Sequence, residues 1–383
     1  MYCDPFSRRR NLAMNSHNPQ NISLYYQTKI SLVSSYLAVL VLYVHGYFYV
    51  PERFPFSHII ISIIERFSYR AINPTYFAIS GFLFFFGVKT ITDCYPKLRK
   101  RIHTVLVPFI LWNIIAIIEQ LIFSKLPYTR DFLNRDILSY FLKPSGIYDF
   151  FIGPASFHLW FLRDLFIYFL LSPLIYWIVK RFRWYVTPIM LVLTPPLMHW
   201  QNLNHLDIAF FILGATIAIH SNLESTRRFL SKPLVILSTF GYLGLSAFWD
   251  LIVPVQFKNE GYLTLVFSIC GMITVWRGYD WLAHKMNIEH SRLLLSLTNY
   301  TLFIYLFHEP ILFIFTLLGK RLFGGNDFSL IFIYLANPIL IIILGVFFAK
   351  GIKAISPTLY AILVGGRVTR FKPQVKPFDQ SQI

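Results

Sequence analysis

The sequence predicts an all-α, polytopic bundle of about ten membrane-spanning helices with both termini on the cytoplasmic side. Three observations carry that prediction. The 383 residues are 56% hydrophobic and 18% aromatic but only 14% charged, more apolar surface than a water-soluble core could hide. Apolar runs of roughly twenty residues recur, the length at which a helix crosses a bilayer while satisfying its own backbone. The 35 Lys and Arg residues sit between those runs rather than in one basic, aromatic-rich domain, so the +17 net charge does not signal nucleic-acid binding.

The first 29 residues read as a polar cytoplasmic tail. It carries Arg8, Arg9 and Arg10 followed by a polar stretch up to Gln27, with no short apolar core and small-residue cleavage site, so the first span is read as uncleaved. Spans are expected near 30–50, 71–91, 104–124, 158–179, 185–199, 206–220, 233–253, 261–277, 298–318 and 329–349. Pro188, Pro195 and Pro196 interrupt the fifth and sixth. Residues 30–350 thus form one transmembrane domain and 351–383 a C-terminal tail. In that tail ISPTLYAILVGGR, residues 355–367, is too short to cross and reads as lying on the inner surface or packed under the bundle. Twenty-four of the Lys and Arg residues fall on the N-terminal side and 10 on the other, with Arg163 inside a span. The positive-inside rule then makes both termini cytoplasmic. Cys3, Cys94 and Cys270 show neither disulfide nor zinc spacing, and no metal is expected.

His45 is the oddity of the first span, in VLYVHGYF, residues 41–48. At helical spacing Ser31, Ser34, Ala38, Leu42 and His45 share one face, opposite Leu32, Val33, Leu37, Leu40 and Val44. A small, polar stripe beside an aliphatic one turns His45 to the bundle interior. FAISGFLFFFG, residues 77–87, breaks an aromatic run at Ser80-Gly81 and permits close helix approach. KLRKRIHTVLVPFILWN, residues 97–113, puts Lys97, Arg99, Lys100 and Arg101 before a helix containing Pro108 and Asn113. Such a cluster is ordinarily topogenic; it also suits a phosphorylated ligand at a helix start. FHLWFLRDLF, residues 157–166, sets His158 and Trp160 at a boundary and Arg163-Asp164, an expected structural ion pair, one turn deeper. TLFIYLFHEPIL, residues 301–312, puts Tyr305, His308 and Glu309 mid-span before a proline that frees backbone acceptors.

Taken in order, these stretches and the terminal SPTLYAILVGGR resemble the bacterial acyltransferase-3 family of integral-membrane O-acyltransferases over roughly residues 30–367. The resemblance implies a ten-helix inner-membrane enzyme that moves an acyl group, commonly acetyl from cytoplasmic acetyl-CoA, to a sugar hydroxyl of a lipopolysaccharide, capsule or other surface glycan. It puts the family's essential histidine base on His45 and its phosphate-holding basic motif on Arg99 and Arg101. The chain departs from many members early in the first helix, where Ser31, Ser34 and Ser35 stand in place of an acidic residue and an arginine, and the basic motif lies further from Pro108.

The chemistry needs few groups. Neutral imidazole, with an ordinary pKa of about 6.5, suits a general base toward a sugar hydroxyl. Tyr305, His308 and Asn113 are candidate donors to the tetrahedral oxyanion. The donor is expected as a co-substrate, with no bound cofactor; the other partners are a glycan or lipid-linked saccharide and membrane lipid. Direct transfer and an acyl-histidine both stay open, as do acetyl and succinyl. Acceptor selection is assigned to the outer loop from Lys125 to Phe157. The rival reading is a proton-coupled transporter or glycan flippase, with His45, Arg163, Asp164, His308 and Glu309 as a proton relay.

Overall fold

The structure is a computed structural model describing residues 22–46, 48, 54–123, 125, 153–194, 205–252 and 261–366. Among the described residues every regular element is helical: α1 (Leu24–His45), α2 (Pro55–Phe85), α3 (Cys94–Arg101), α4 (Val107–Phe123), α5 (Trp160–Leu170), α6 (Ser172–Phe182), α7 (Val186–Leu193), α8 (His205–His220), α9 (Leu223–Phe229), α10 (Lys232–Ile252), α11 (Gly261–Met286), α12 (Arg292–Thr298), α13 (Thr301–Phe307), α14 (Ile311–Phe323), α15 (Asp327–Ile355) and α16 (Pro357–Leu363). Four stretches are long and apolar enough to cross a membrane: α1, the run from Ile91 to Ile122, α11 and α15. The count becomes six if the bent pairs centred on α5–α6 and α13–α14 each make one span. Residues 1–21 and 367–383, and most of the loop from Lys125 to Phe157, lie outside the described residues.

Several expected boundaries move. α1 starts at Leu24, so Lys29 belongs to the helix and not the tail; its side chain is 2% exposed and meets Asp280 of α11 at 2.5 Å. α2 begins at Pro55 rather than near 71, because FSHIIISIIERFSYR has no interior Pro or Gly to stop a helix that Pro55 starts well. The third element likewise begins at Cys94, passes through a π turn at Ile102–Leu106, and continues as α4. Pro108 explains the turn: it has no N–H for the Thr104 carbonyl, and Val107 N–H reaches back to Ile102 instead. The fourth span is bent by 62° between α5 and α6, and the ninth by 63° around His308–Pro310.

Packing fixes which ends meet. α1 and α2 run antiparallel: Tyr26 packs with Phe82 at one end, and Tyr43 lies against Ile61 and Tyr334 at the other. Asp327, opening α15, accepts from the Ser57 N–H and hydroxyl at 2.7 Å each, tying the starts of α15 and α2 together. α2 and α8 touch backbone to backbone. A methyl on Gly81 would fall 2.0 Å from the Phe211 carbonyl oxygen, and one on Gly214 2.0 Å from that of Ala78. The Ser80-Gly81 break is therefore a helix crossing. The C-terminal segment packs under the bundle: Tyr360 and Val364 are 2% exposed, and Trp112 donates to the Leu363 carbonyl at 3.1 Å.

Candidate active site

Three helix breaks meet at the Tyr43 end of the bundle. α1 ends there, and His45 is its last residue. His158 sits in the short 3-10 turn Phe157–Leu159 that opens α5. His308 and Glu309 occupy the bend between α13 and α14, where Pro310 cannot donate an N–H and the helix changes direction. The break turns both side chains inward. His308 is fully buried, His158 is 2% exposed, and the side chains of His45 and Glu309 are 18% and 21% exposed.

The geometry is compact. The His45 ring lies 4.9 Å from that of His308 and 6.3 Å from that of His158, and the latter two are 4.6 Å apart. His45 Nδ1 is 3.7 Å from Glu309 Oε1. That is longer than a hydrogen bond but close enough for a carboxylate to bias the imidazole, and catalytic contacts of this kind often tighten when substrate binds. Glu119 of α4 lies within electrostatic reach of Glu309. The exposed Phe157 ring stands 6.4 Å from His45.

Hydrogen bonds assign the buried rings. His308 Nδ1 is 2.6 Å from the Tyr305 carbonyl oxygen, which only accepts, so Nδ1 carries the proton and Nε2 presents a lone pair. That Nε2 is buried and has no hydrogen-bond partner. His158 Nδ1 pairs with Ser156 Oγ at 2.8 Å, and the Tyr305 hydroxyl donates to the His158 carbonyl, locking α13 to the start of α5.

The sequence-derived residues do not all come together. His45, His158, His308, Glu309 and Tyr305 gather in one place. The proposed oxyanion donors already hold other partners: Tyr305 and His308 as above, and Asn113 gives one amide N–H to the Phe109 carbonyl at 2.8 Å while its oxygen accepts from Ala155 N–H at 2.8 Å. Asn113 thus organises the approach to His158. Arg163 and Asp164 pair at 2.7 Å, both buried, and Trp160 packs edge-on against Phe161. Ser80 sits beside the Gly81 crossing, near the opposite end.

The basic cluster occupies that opposite end. Lys97 donates to the Phe84 and Phe86 carbonyls at 2.8 and 2.5 Å, capping α2, whose last carbonyls have no helical partner. Its ammonium caps a helix in this arrangement, with two of its three N–H groups engaged. Arg101 lies over the Phe169 ring at 4.9 Å, and Arg99 and Lys100 are exposed. From Phe169 to His158, along α5 and its opening turn, is 11 residues, about 16 Å at the helical rise.

Two buried groups were not legible in the sequence. Lys29 and Asp280 form a cluster with Tyr25, at 2.6 Å, and Arg277, at 2.6 Å. From sequence alone Lys29 reads as part of the tail, because a cation next to a polar segment looks topogenic. Asp207 of α8 is 2% exposed and within electrostatic reach of Asp164; a single acid in a short apolar run carries no signal of its partner.

A succinoglycan biosynthesis protein, ExoH, of Rhizobium meliloti (strain 1021) is 26% identical over 326 residues, covering 81% of this chain and 82% of its own. No solved structure matches the chain. The family described as an acyltransferase domain matches residues 35–363, a span that includes His45, the cations at Arg99 and Arg101, His158 and the His308-Glu309 bend. A match over that length, on helices that bring these residues to two ends of one bundle, makes the chain a member of the acyltransferase-3 family of membrane acyltransferases.

Proposed function

We propose that the protein is an inner-membrane O-acyltransferase that moves an acyl group, acetyl in the first instance, from cytoplasmic acyl-CoA to a sugar hydroxyl of an exported or surface glycan. The observation that carries the reading is the pairing of His45 with Glu309 at one end of the bundle and a basic edge at the other. The ExoH relative, whose name attaches it to succinoglycan biosynthesis, supports a saccharide acceptor. The apolar runs give about ten spans, and the charge asymmetry gives two cytoplasmic termini, with Arg99, Lys100 and Arg101 inside and His45 toward the outer half.

The residues have separate tasks. Arg99, Lys100 and Arg101 hold the donor's phosphates, and the pantetheine arm runs along α5 toward His158 and His45. Glu309 faces His45 Nδ1 and keeps a proton there, so Nε2 is the base, the orienting logic of a catalytic triad. The sugar oxygen attacks the thioester carbonyl as Nε2 takes the hydroxyl proton. Glu309 then stabilises the imidazolium. When the tetrahedral intermediate collapses, the C–S bond breaks and the same proton passes from Nε2 to the departing thiolate, leaving a sugar ester and free CoA. A base of this type is worth about 10²–10⁴-fold in rate.

Mass spectrometry of surface glycans tests the reading in cells. Cells expressing the protein carry an added acyl mass that deletion removes and His45→Ala fails to restore at equal protein level. Restoration by His45→Ala removes His45 as base, and an unchanged glycan profile on deletion removes the acceptor assignment.

A further inference from the structure

His45, His308 and Glu309 each offer one ligating atom, and these three atoms lie within 4.8 Å of one another. The separation of His45 Nδ1 and Glu309 Oε1, 3.7 Å, is close to the edge of a tetrahedron built on bonds of about 2.0–2.1 Å, roughly 3.4 Å. Two nitrogens, one carboxylate oxygen and an open fourth position make the ligand set of many zinc sites. The strongest sign lies one bond further out. The His308 Nδ1–H is held by the Tyr305 carbonyl at 2.6 Å, the outer contact that fixes a metal-binding histidine in its ligating tautomer. It leaves a buried Nε2 lone pair with no partner. Partial exposure of His45 and Glu309 gives an ion a way in from water.

We propose that His45, His308 and Glu309 form a binding site for a divalent transition-metal ion with the preferences of zinc, and that an ion bound there silences the acyltransferase base. Two imidazoles and a carboxylate favour zinc over the hard, oxygen-seeking magnesium and calcium. Silencing follows from the proton count. A metal on His45 Nδ1 forces the ring's remaining proton onto Nε2, and the lone pair that would accept from the sugar is gone. The metal-binding half stands on geometry alone; the silencing half rests on the acyltransferase reading.

The test uses full-length protein in detergent, without a polyhistidine tag and stripped with a chelator, titrated with Zn²⁺ against a chromophoric chelator and with Co²⁺ as a spectroscopic probe. One equivalent of Zn²⁺ is expected, with Co²⁺ giving the intense visible bands of four-coordinate geometry. Glu309→Gln, a near-isosteric change, and His308→Gln each weaken binding by about tenfold or more, whereas His284→Ala on an exposed surface leaves it intact. Uptake of no stoichiometric metal overturns the site. So does uptake unaffected by Glu309→Gln and His308→Gln, which puts the ion on other groups, exposed His58, His103, His284 and His290 among them. In parallel, Zn²⁺ lowers the rate of CoA release by wild type, and EDTA restores it. A rate unchanged or raised by bound zinc overturns the silencing. Metal binding with no acyl transfer under any condition leaves the site standing and counts against the acyltransferase reading instead.

Discussion

Glu309→Gln isolates one electrostatic contribution. The substitution keeps the size of the side chain and removes the acid group, 3.7 Å from His45 Nδ1, that carries the negative charge in the proposed mechanism. A unit charge pair at that distance is worth about 4 kcal/mol at an effective dielectric of about 20, and about 1 kcal/mol at the water limit. Side chains roughly one fifth exposed place the true value between these figures, nearer the first. The attraction is felt only when the imidazole becomes cationic, during proton abstraction, so its loss raises the barrier without weakening donor binding. At about 1.4 kcal/mol per factor of ten, kcat falls by about 10²–10³-fold while KM for acyl-CoA stays within about twofold. The assay is initial-rate release of free CoA thiol by purified protein with a glycan acceptor, read beside a thermal-unfolding curve to show that the fold persists. A loss smaller than about fivefold in a folded variant refutes the orienting role of Glu309 and leaves His45 without its partner.

Other consequences follow from single contacts. Gly81→Ala forces a methyl into the Phe211 carbonyl at 2.0 Å, backbone against backbone; it should cost about 3 kcal/mol or more in thermal-unfolding assays, whereas Gly278→Ala, with nothing within 4 Å, leaves the midpoint unchanged. Asp280→Asn strips the counter-charge from buried Lys29 and should destabilise the protein by about 3–5 kcal/mol, measured by the same unfolding assay, although it lies far from His45. Lys97→Ala and Arg99→Ala separate structure from binding. The first lowers stability by about 1 kcal/mol through the lost cap of α2, while the second leaves the unfolding midpoint unchanged and raises KM for acyl-CoA severalfold in the CoA-release assay.

Much of this was legible because membrane helices write themselves in runs of apolar residues. The stripe on the first helix did not single out the interior face, because α1 is packed on several sides and Leu32, Val33, Leu37 and Leu40 opposite His45 are buried too; the His308-Glu309-Pro310 triplet did announce a break. Helix boundaries were less legible. The start of α2 at Pro55 was hidden because residues 55–70 mix charge with apolar side chains, and hydropathy alone reads such a segment as a loop. Lys97 and Arg99 look alike in a basic cluster, and only the fold shows one spent on the end of α2 and the other exposed. The meeting of His45 with Glu309 joins residues 264 positions apart, and no local pattern encodes a contact at that distance.

The central claim is transfer from a donor held at one membrane face to an acceptor activated by His45 near the other. Proteoliposomes containing purified protein, with labelled acyl-CoA confined to the face bearing Arg99, Lys100 and Arg101 and a saccharide acceptor on the opposite face, test it directly. Label should appear on the acceptor with wild-type protein, and not with His45→Ala or with the donor moved to the other side. Equal labelling by His45→Ala, or labelling indifferent to the side of the donor, contradicts it.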